Sequence, residues 1–394
     1  MRPHRSLPAW MLLAFALPLG AQEVTVHGQL RPRHELRDPA SAGGKQFTSM
    51  RVRAAIDAAL ENDIRFYVEL QDVRLWGEEL NTLTDYRADN FDLHQGYVDI
   101  KRMDDASVAA RVGRQELNLG GERLVGAVGW TQQGRSFDGV RVRLNPSWGS
   151  LDLMGYKTRE LFAVSVNDEA AFFGAYAVIA AGSAGNLDLY AFHQTLDAGA
   201  DTDQSSFGAR FAGKTGALSY RGEATVQTGT RVNDDVSAYM FGGRLGVDVG
   251  EGGVLTLWYD YLSGDGDPSD DEAKVFDTMF ATNHKFYGLA DMFLDIPLHT
   301  RGQGLQDLAV KGSYRVNPDV SLGMELHTFS VVAQRSLDSA HLGEEIDATL
   351  QYRYTGNLTF QGGFSWLLQD DAWADIGRLS EDMTWAYLMI NVAF

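Results

Sequence analysis

Apolar and polar residues alternate one by one over many short stretches of this chain. In residues 346–354, one face would carry Ile346, Ala348, Leu350, Tyr352 and Tyr354, and the other Asp347, Thr349, Gln351 and Arg353. Residues 218–227 and 308–316 repeat the pattern. Successive side chains of a strand point to opposite faces, so a period of two predicts β-strands with one apolar and one polar face. A soluble β-sandwich also alternates, but it rarely carries so many arginines in mid-strand.

Segments of this kind fill the chain from residue 24 to its end, and we count about eighteen. They are 24–37, 47–60, 63–74, 91–100, 107–117, 136–145, 150–157, 171–181, 187–194, 206–215, 217–227, 237–249, 253–262, 305–316, 320–330, 343–354, 358–368 and 384–394. About ten tilted residues cross a bilayer as a strand, which matches these lengths.

The intervals between the segments alternate between short and long. The short ones, such as Asn317–Asp319 and Thr355–Asn357, consist of residues that favour tight hairpins. The long ones include 118–135 and, above all, 263–304. This order predicts an all-β fold: a transmembrane up-and-down antiparallel β-barrel of about 18 strands, with short periplasmic turns and long extracellular loops. Closing the sheet satisfies every backbone group that would otherwise face hydrocarbon.

Both ends of the chain agree with export to the bacterial outer membrane. Residues 1–21 have a cationic start, an apolar stretch and a small-residue exit, as in a cleaved signal peptide, which leaves 22–394 as the barrel domain. The last segment places Leu388, Ile390, Val392 and the terminal Phe394 on one face. A closing strand that ends in Phe resembles the signal read by the barrel assembly machinery, which we therefore expect as a partner.

Composition removes several classes of function. The chain has 394 residues, no cysteine and a formal net charge of −19. Without cysteine there is no disulfide framework, Cys-ligated zinc or thiol nucleophile, and an acidic protein lacks the basic footprint of nucleic-acid binding. The sequence holds no recognisable catalytic motif, and its nine His have no metal-ligand spacing. We therefore expect no enzyme, no cofactor and no metal site.

If the apolar faces contact lipid, the opposite faces line the lumen. Sixteen basic residues then point inward against ten acidic ones, an excess of six in a protein that is acidic overall. The basic set comprises Arg31, Arg33, Arg37, Arg51, Arg53, Arg65, Arg111, Arg141, Arg143, Arg210, Lys214, Arg221, Arg244, Lys311, Arg315 and Arg353. All but Arg37 and Lys214 are our candidate pore-lining or substrate-binding residues. Cross-strand pairing with inward acids is the alternative for each, but the arginines at 31, 33, 51, 53, 141 and 143 have few acids nearby.

Two further predictions concern the outer face and the longest loop. Aromatic residues are expected on the lipid side, as in the girdles of barrels: Tyr239, Phe241, Tyr259, Tyr261, Phe360, Trp366 and Trp385. The loop 263–304 is expected to fold inward as a constriction, with Asp260, Asp265, Asp277, His284 and Asp291 as its candidate residues. Its acid-rich stretch 265–272 is expected to be solvated. Divalent cations that bridge it to lipopolysaccharide are an additional expectation left open.

Several stretches resemble the alginate-export family of outer-membrane porins. They are Gly113–Leu117, Gly120–Val125, Gly129-Trp130, Arg135–Val140, Trp258–Asp265, Phe276-Asp277, Thr282–His284, Phe286–Asp291 and Leu342–Asp347. The resemblance covers essentially the whole chain after residue 21. It implies a monomeric eighteen-stranded barrel with an arginine-lined pore that passes a polyuronate.

We therefore expect passive, anion-favouring passage of an anionic polysaccharide or oligosaccharide through the lumen, because guanidinium groups match carboxylate geometry. General or small-anion uptake is an open alternative. Less favoured are a rim enzyme built on Asp260, His284 and Asp291, and a surface receptor with a closed lumen. Outer-membrane lipid and lipopolysaccharide complete the expected surroundings.

Overall fold

The structure, a computed structural model, describes residues 23–39, 45–78, 91–103, 107–160, 169–197 and 201–394. The predicted signal peptide lies outside these residues. None of the helices in the described ranges is long and apolar enough to cross a membrane.

Nearly all regular structure is antiparallel β-sheet. The strands are β1 (Glu23–Pro39), β2 (Lys45–Ala59), β3 (Ile64–Leu75), β4 (Phe91–Met103), β5 (Val108–Gln115), β6 (Phe137–Leu144), β7 (Gly149–Glu160), β8 (Glu169–Ala180), β9 (Asn186–Asp197), β10 (Thr202–Thr215), β11 (Leu218–Arg231), β12 (Asp234–Val249), β13 (Gly253–Leu262), β14 (Glu272–Ala273), β15 (Leu305–Asn317), β16 (Val320–Ser330), β17 (His341–Arg353), β18 (Leu358–Gln369) and β19 (Met383–Ala393). Two short helices, α1 (Ile296–His299) and α2 (Asp371–Asp375), lie in loops.

Eighteen of these strands form one closed wall. Each pairs with its neighbours along the chain, and β1 closes the ring by pairing antiparallel with β19. The two-residue β14 stands apart and pairs in parallel with the start of β12. At the seam, Gly28 and Phe394 exchange both backbone hydrogen bonds, at 2.9 and 3.1 Å. The predicted fold, a closed 18-stranded antiparallel barrel, is confirmed.

The apolar and polar faces point as predicted. On β11, Val226 is 55% exposed on the outer surface, whereas its neighbour Gln227 is 2% exposed on the inside. One aromatic assignment is wrong: Trp385 is fully buried on the inner face, where its indole N–H donates to Glu35. The pattern failed there because Trp385 and Tyr387, both inward, are themselves apolar, which hides the alternation at the start of β19.

The two ends of the barrel differ. At one end, which we call the turn end, hairpins such as Asn62-Asp63 and Gly250–Gly252 use positive φ. Longer connections lie at the opposite, loop end. The alternation is not strict, because β11 and β12 extend further than predicted and meet at a two-residue turn, Val232-Asn233, also with positive φ.

Two long connections fold into the lumen rather than away from the barrel. We call residues 116–136 loop A and residues 263–304 loop B. Their apolar side chains form a core inside the loop half of the barrel, together with α2; this core includes Leu117, Phe276, Phe286, Phe293 and Trp373, each fully buried. The loop half is therefore largely filled, and the turn half is the more open part of the lumen.

Candidate functional site

Three arginines on the first two strands hold loop A by its backbone. Arg31 donates to the carbonyl oxygens of residues 129, 130 and 131 at 2.7–3.1 Å. Arg51 donates to those of 131 and 132 at 3.3 and 3.1 Å, and Arg33 to that of Trp130 at 2.7 Å. A guanidinium offers five N–H donors and accepts none, so it suits a row of carbonyls.

These arginines face inward as predicted, but they do not line an open path. Their exposed fractions are only 7%, 6% and 4% for Arg31, Arg33 and Arg51. Their expected role as residues exposed to solute is wrong in this structure, because loop A lies between them and the lumen. Arg53 beside them is bound by carboxylates, 3.4 Å from Glu69 and 3.3 Å from Glu116.

On the far side of the seam between β1 and β19, acidic side chains of β17 bind loop B. They contact its backbone N–H groups, whereas the arginines contact carbonyl groups of loop A. The carboxylates of Glu345 and Asp347 accept the N–H groups of Ala290 at 2.8 Å and Leu289 at 3.3 Å. Both carboxylates are completely buried, and Ser365 also donates to Asp347. From across the seam, Arg37 of β1 donates to the Ala290 carbonyl at 3.0 Å.

The two loops also bind each other. Thr282 of loop B donates to Glu122 of loop A at 2.8 Å. The ring of Trp130 lies between Arg33, 4.1 Å from its centroid, and His284, stacked at 4.2 Å. His284 in turn contacts Asp291 at 2.6 Å. The loops thus form one interlocked constriction held by both walls.

The residues predicted for the constriction do not form one cluster. His284 and Asp291 come together, but Asp260 lies on β13, where Arg123 of loop A and the Trp258 indole bind its carboxylate, both at 2.8 Å. Asp265 and Asp277 are bound elsewhere, by Arg335 at 3.8 Å and by Gln194 at 3.2 Å. The triad imagined for a rim enzyme is therefore not assembled.

Arg123 is a site residue that sequence analysis did not single out, although it lies in the quoted stretch Gly120–Val125. It is 1% exposed. Burial alone would lower the pKa of Arg123, but the neighbouring Asp260, Tyr287 and Glu223 outweigh burial and raise it. No residue spacing within loop A indicates this contact, since Asp260 is 137 positions away along the chain.

Ion pairs dominate the wall of the turn half. Paired basic residues at this level are Arg65 with Asp57, Arg111 with Asp99, Arg143 with Asp152, Arg210 with Asp188, Lys214 with Asp248, Lys311 with Glu325 and Arg353 with Asp319, at 2.5–3.4 Å. Three inward acids were missing from our sequence count, namely Asp99, Asp307 and Glu345. Arg231, at the end of β11, also points inward and was not counted; it donates to Gln204. The excess of basic residues on the inner wall is therefore smaller than the expected six.

Four predicted arginines of this half lack such a partner of their own. Among the residues that the structure describes, Arg221, Arg244 and Arg315 make no ion pair. Arg141 lies 4.0 Å from Asp152, a carboxylate that Arg143 already binds through two hydrogen bonds. These guanidinium groups are the positive charges that the wall does not neutralise internally.

Two groups of side chains have donor atoms close enough to hold a metal ion: Glu69, His94 and Glu116, and Glu325, His327 and Asp347. In each group a basic side chain already occupies carboxylate oxygen atoms. Arg53 contacts both glutamates of the first, and Lys311 lies 2.5 Å from Glu325 in the second. A cation would have to displace these groups, so neither cluster is assigned a metal.

A closed β-wall with an apolar exterior, a charged interior and loops folded into its lumen defines an outer-membrane channel. The family model for alginate export matches residues 23–372 of the sequence. The chain belongs to the alginate export family, as the resemblance predicted. Family and fold are those of an outer-membrane porin and point to a channel rather than an enzyme.

Solved structures show the same architecture at low identity. Pseudomonas aeruginosa OccK11 (OpdR) is 13% identical, with a TM-score of 0.65 over 95% of this chain and 97% of that one. P. aeruginosa OpdK, solved with vanillate, is 12% identical, with a TM-score of 0.66 over 95% and 99%. Acinetobacter baumannii OccAB1 is 12% identical, with a TM-score of 0.67 over 95% and 97%. These likenesses concern the fold. A search of curated proteins gave no match.

Proposed function

We propose that this porin gives passive, anion-favouring passage across the outer membrane, with the turn half of its lumen as the selective region. The observation that carries the proposal is a set of guanidinium groups there that no carboxylate fully neutralises. Arg221, Arg244 and Arg315 make no ion pair within the described residues, and Arg141 shares Asp152 with Arg143. Unneutralised positive charge on a pore wall lowers the energy of an anion and raises that of a cation.

The cargo class that we propose is a carboxylated saccharide, such as a segment of an alginate-like polyuronate. Membership of the alginate export family supports it. The chemistry of the wall does too, since planar guanidinium groups bind carboxylates through two parallel hydrogen bonds.

A small carboxylate taken up from outside is the second candidate. Loops A and B fill the loop half with packed apolar side chains, which leaves less room for a polymer than for a small anion. The similar fold of OpdK was solved with vanillate, itself a small carboxylate.

Swelling of proteoliposomes separates these candidates. We expect glucuronate to enter faster than glucose, a neutral sugar of nearly the same size. Entry of guluronate oligomers as well would support the polyuronate, and their exclusion would support the small carboxylate. Equal rates for glucuronate and glucose would contradict the proposal.

We further propose that residues 1–21 are removed on export, that the barrel assembly machinery inserts the chain, and that it works as a monomer. Cleavage after Ala21 predicts Gln22 as the first residue of the mature protein. N-terminal sequencing of protein purified from outer membranes tests this, and a start at Met1 would contradict it.

A further inference from the structure

Two acidic side chains that bind loop B stand side by side on β17. Glu345 and Asp347 are two positions apart, so both point into the lumen. Both are completely buried, and their carboxylates accept the N–H groups of Ala290 and Leu289, which are neighbours in loop B. A Cβ atom on Gly288 would lie only 2.5 Å from the carboxyl carbon of Glu345. The backbone of loop B therefore covers this acidic pair directly.

The carboxyl groups of Glu345 and Asp347 are also within hydrogen-bonding contact of each other. Oε2 of Glu345 is buried, and none of the described residues donates a hydrogen bond to it. An ionised carboxylate only accepts hydrogen bonds, whereas a protonated one also donates. Contact between two buried carboxyl groups is therefore favourable only while one of them holds a proton, as in other pairs of acids that share a site.

The basic groups nearest to the pair are engaged by other acids. His327 of β16 lies between Asp307, at 2.9 Å, and Glu325, at 3.2 Å. Lys311 of β15 lies 2.5 Å from the same Glu325. Both nitrogens of the imidazole ring can donate to carboxylates only when the ring is charged. These two acids and two bases then balance each other and leave no charge for the pair on β17.

The other elements around the pair supply one further positive charge. Ser365 of β18 donates to Asp347. The remaining charged or titratable groups that face this region are Arg37, Tyr387 and the ion pair of Arg33 with Glu35. Arg37 can balance one carboxylate on β17 but not two. Loss of the shared proton would thus leave a second buried negative charge without a partner, which is strongly unfavourable.

We propose that Glu345 and Asp347 form a proton-dependent latch for loop B, which holds the loop while the pair shares a proton and releases it when that proton is lost. Release lets water reach the second charge, which removes the cost of burying it. The latched state binds one proton more than the released state, so lower pH favours the latch and higher pH favours release. The latch controls how far the lumen opens and does not depend on which ions pass.

A single introduced thiol tests the latch, because the chain contains no cysteine. Ala290→Cys places the thiol at a fully buried position of the latch, and Ser269→Cys places one at an exposed position of the same loop. Both purified barrels are modified in detergent with an uncharged, water-soluble methanethiosulfonate between pH 6 and pH 9. The ratio of the two rates cancels the pH dependence of thiolate formation. We expect this ratio to rise about tenfold or more from pH 6 to pH 9.

The amides Glu345→Gln and Asp347→Asn, introduced separately into the Ala290→Cys protein, are the matched variants. Each amide can donate to the remaining carboxylate without a titrating proton, and each keeps an acceptor oxygen for loop B. We therefore expect the ratio to stay low at every pH. Asp188→Asn alters a buried acid that binds Arg210 instead of loop B, and it should retain the rise.

Single-channel current of the wild type gives a second measurement that needs no thiol. We expect larger and longer openings at pH 9 than at pH 6, and no such change in Glu345→Gln. A ratio that is constant with pH in the folded protein would overturn the latch, and so would a rise that persists in both amide variants. If the introduced thiol prevents folding, equal currents of the wild type at the two pH values would overturn it. Anion preference at one pH is a separate measurement, so failure of the latch leaves the proposed function intact.

Discussion

Arginines of the loop half and of the turn half stand on the same inner wall and perform different tasks. Arg31, Arg33 and Arg51 are covered by loop A and bind its carbonyl groups. Among the described residues, Arg141, Arg221 and Arg244 have no hydrogen bond to a loop carbonyl, and none has a carboxylate of its own within ion-pair distance. The residue type and the face of the strand are the same in both regions, so the difference lies in what is opposite each side chain.

The comparison teaches that inward position alone does not define a selectivity residue. A guanidinium that is saturated by backbone acceptors stabilises a fold, whereas one without an internal acceptor is available to a solute. The acidic side chains of β17 follow the same rule. Glu345 and Asp347 accept hydrogen bonds from N–H groups of loop B and so stabilise the fold.

The largest effect is expected when the arginines that bind the backbone of loop A are removed. The double variant Arg31→Met, Arg51→Met removes donors to the backbone carbonyl groups of residues 129–132. A buried acceptor left unsatisfied costs about 1–3 kcal/mol. We expect a clear fall in unfolding temperature and a several-fold rise in single-channel conductance as loop A is released. Unchanged conductance would contradict the assignment of this wall to loop anchoring.

Releasing loop B should have a smaller but related effect. Glu345→Ala with Asp347→Ala removes the acceptors of the Leu289 and Ala290 N–H groups, while Arg37 still binds the Ala290 carbonyl. We expect noisier current with transient larger openings. The matched pair Glu345→Gln with Asp347→Asn keeps acceptor oxygens and should resemble the wild type. If both pairs behave alike, the backbone contacts do not restrain loop B.

Reversing charge in the turn half should alter selectivity. Arg141→Glu with Arg143→Glu changes partly exposed side chains whose ion-pair partner is Asp152 on the same wall. We expect the anion-to-cation permeability ratio to fall several-fold, and the unfolding temperature to fall as well, because the buried Asp152 loses its partners. Reversal potentials in a salt gradient measure this, and an unchanged ratio would remove both residues from the pathway.

The smallest effect is expected at the contact between the loops. Trp130→Leu removes the ring between Arg33 and His284, where each such contact contributes about 0.5–2 kcal/mol. We expect a modestly lower unfolding temperature and a normal permeability ratio. A changed ratio with normal stability would instead place Trp130 in the conducting path.

Sequence periodicity was enough to predict the barrel because lipid imposes one rule on every strand: apolar side chains outside, closed hydrogen bonding within. It also placed the inward arginines on the correct face. It could not predict their partners, since Arg31 meets residues about a hundred positions away and Arg123 meets Asp260 on another wall. Such contacts depend on how loops A and B fold, and loops carry no period. Trp385 shows a second limit, because an inward aromatic is apolar too.

Anion preference is tested most directly by the zero-current potential of the wild-type barrel in a planar bilayer with a tenfold gradient of KCl. Chloride that moves faster than potassium makes the dilute side negative, and this is the sign that we predict, whichever way the barrel is inserted. A dilute side that becomes positive, or a potential near zero, would contradict selection by the unpaired guanidinium groups.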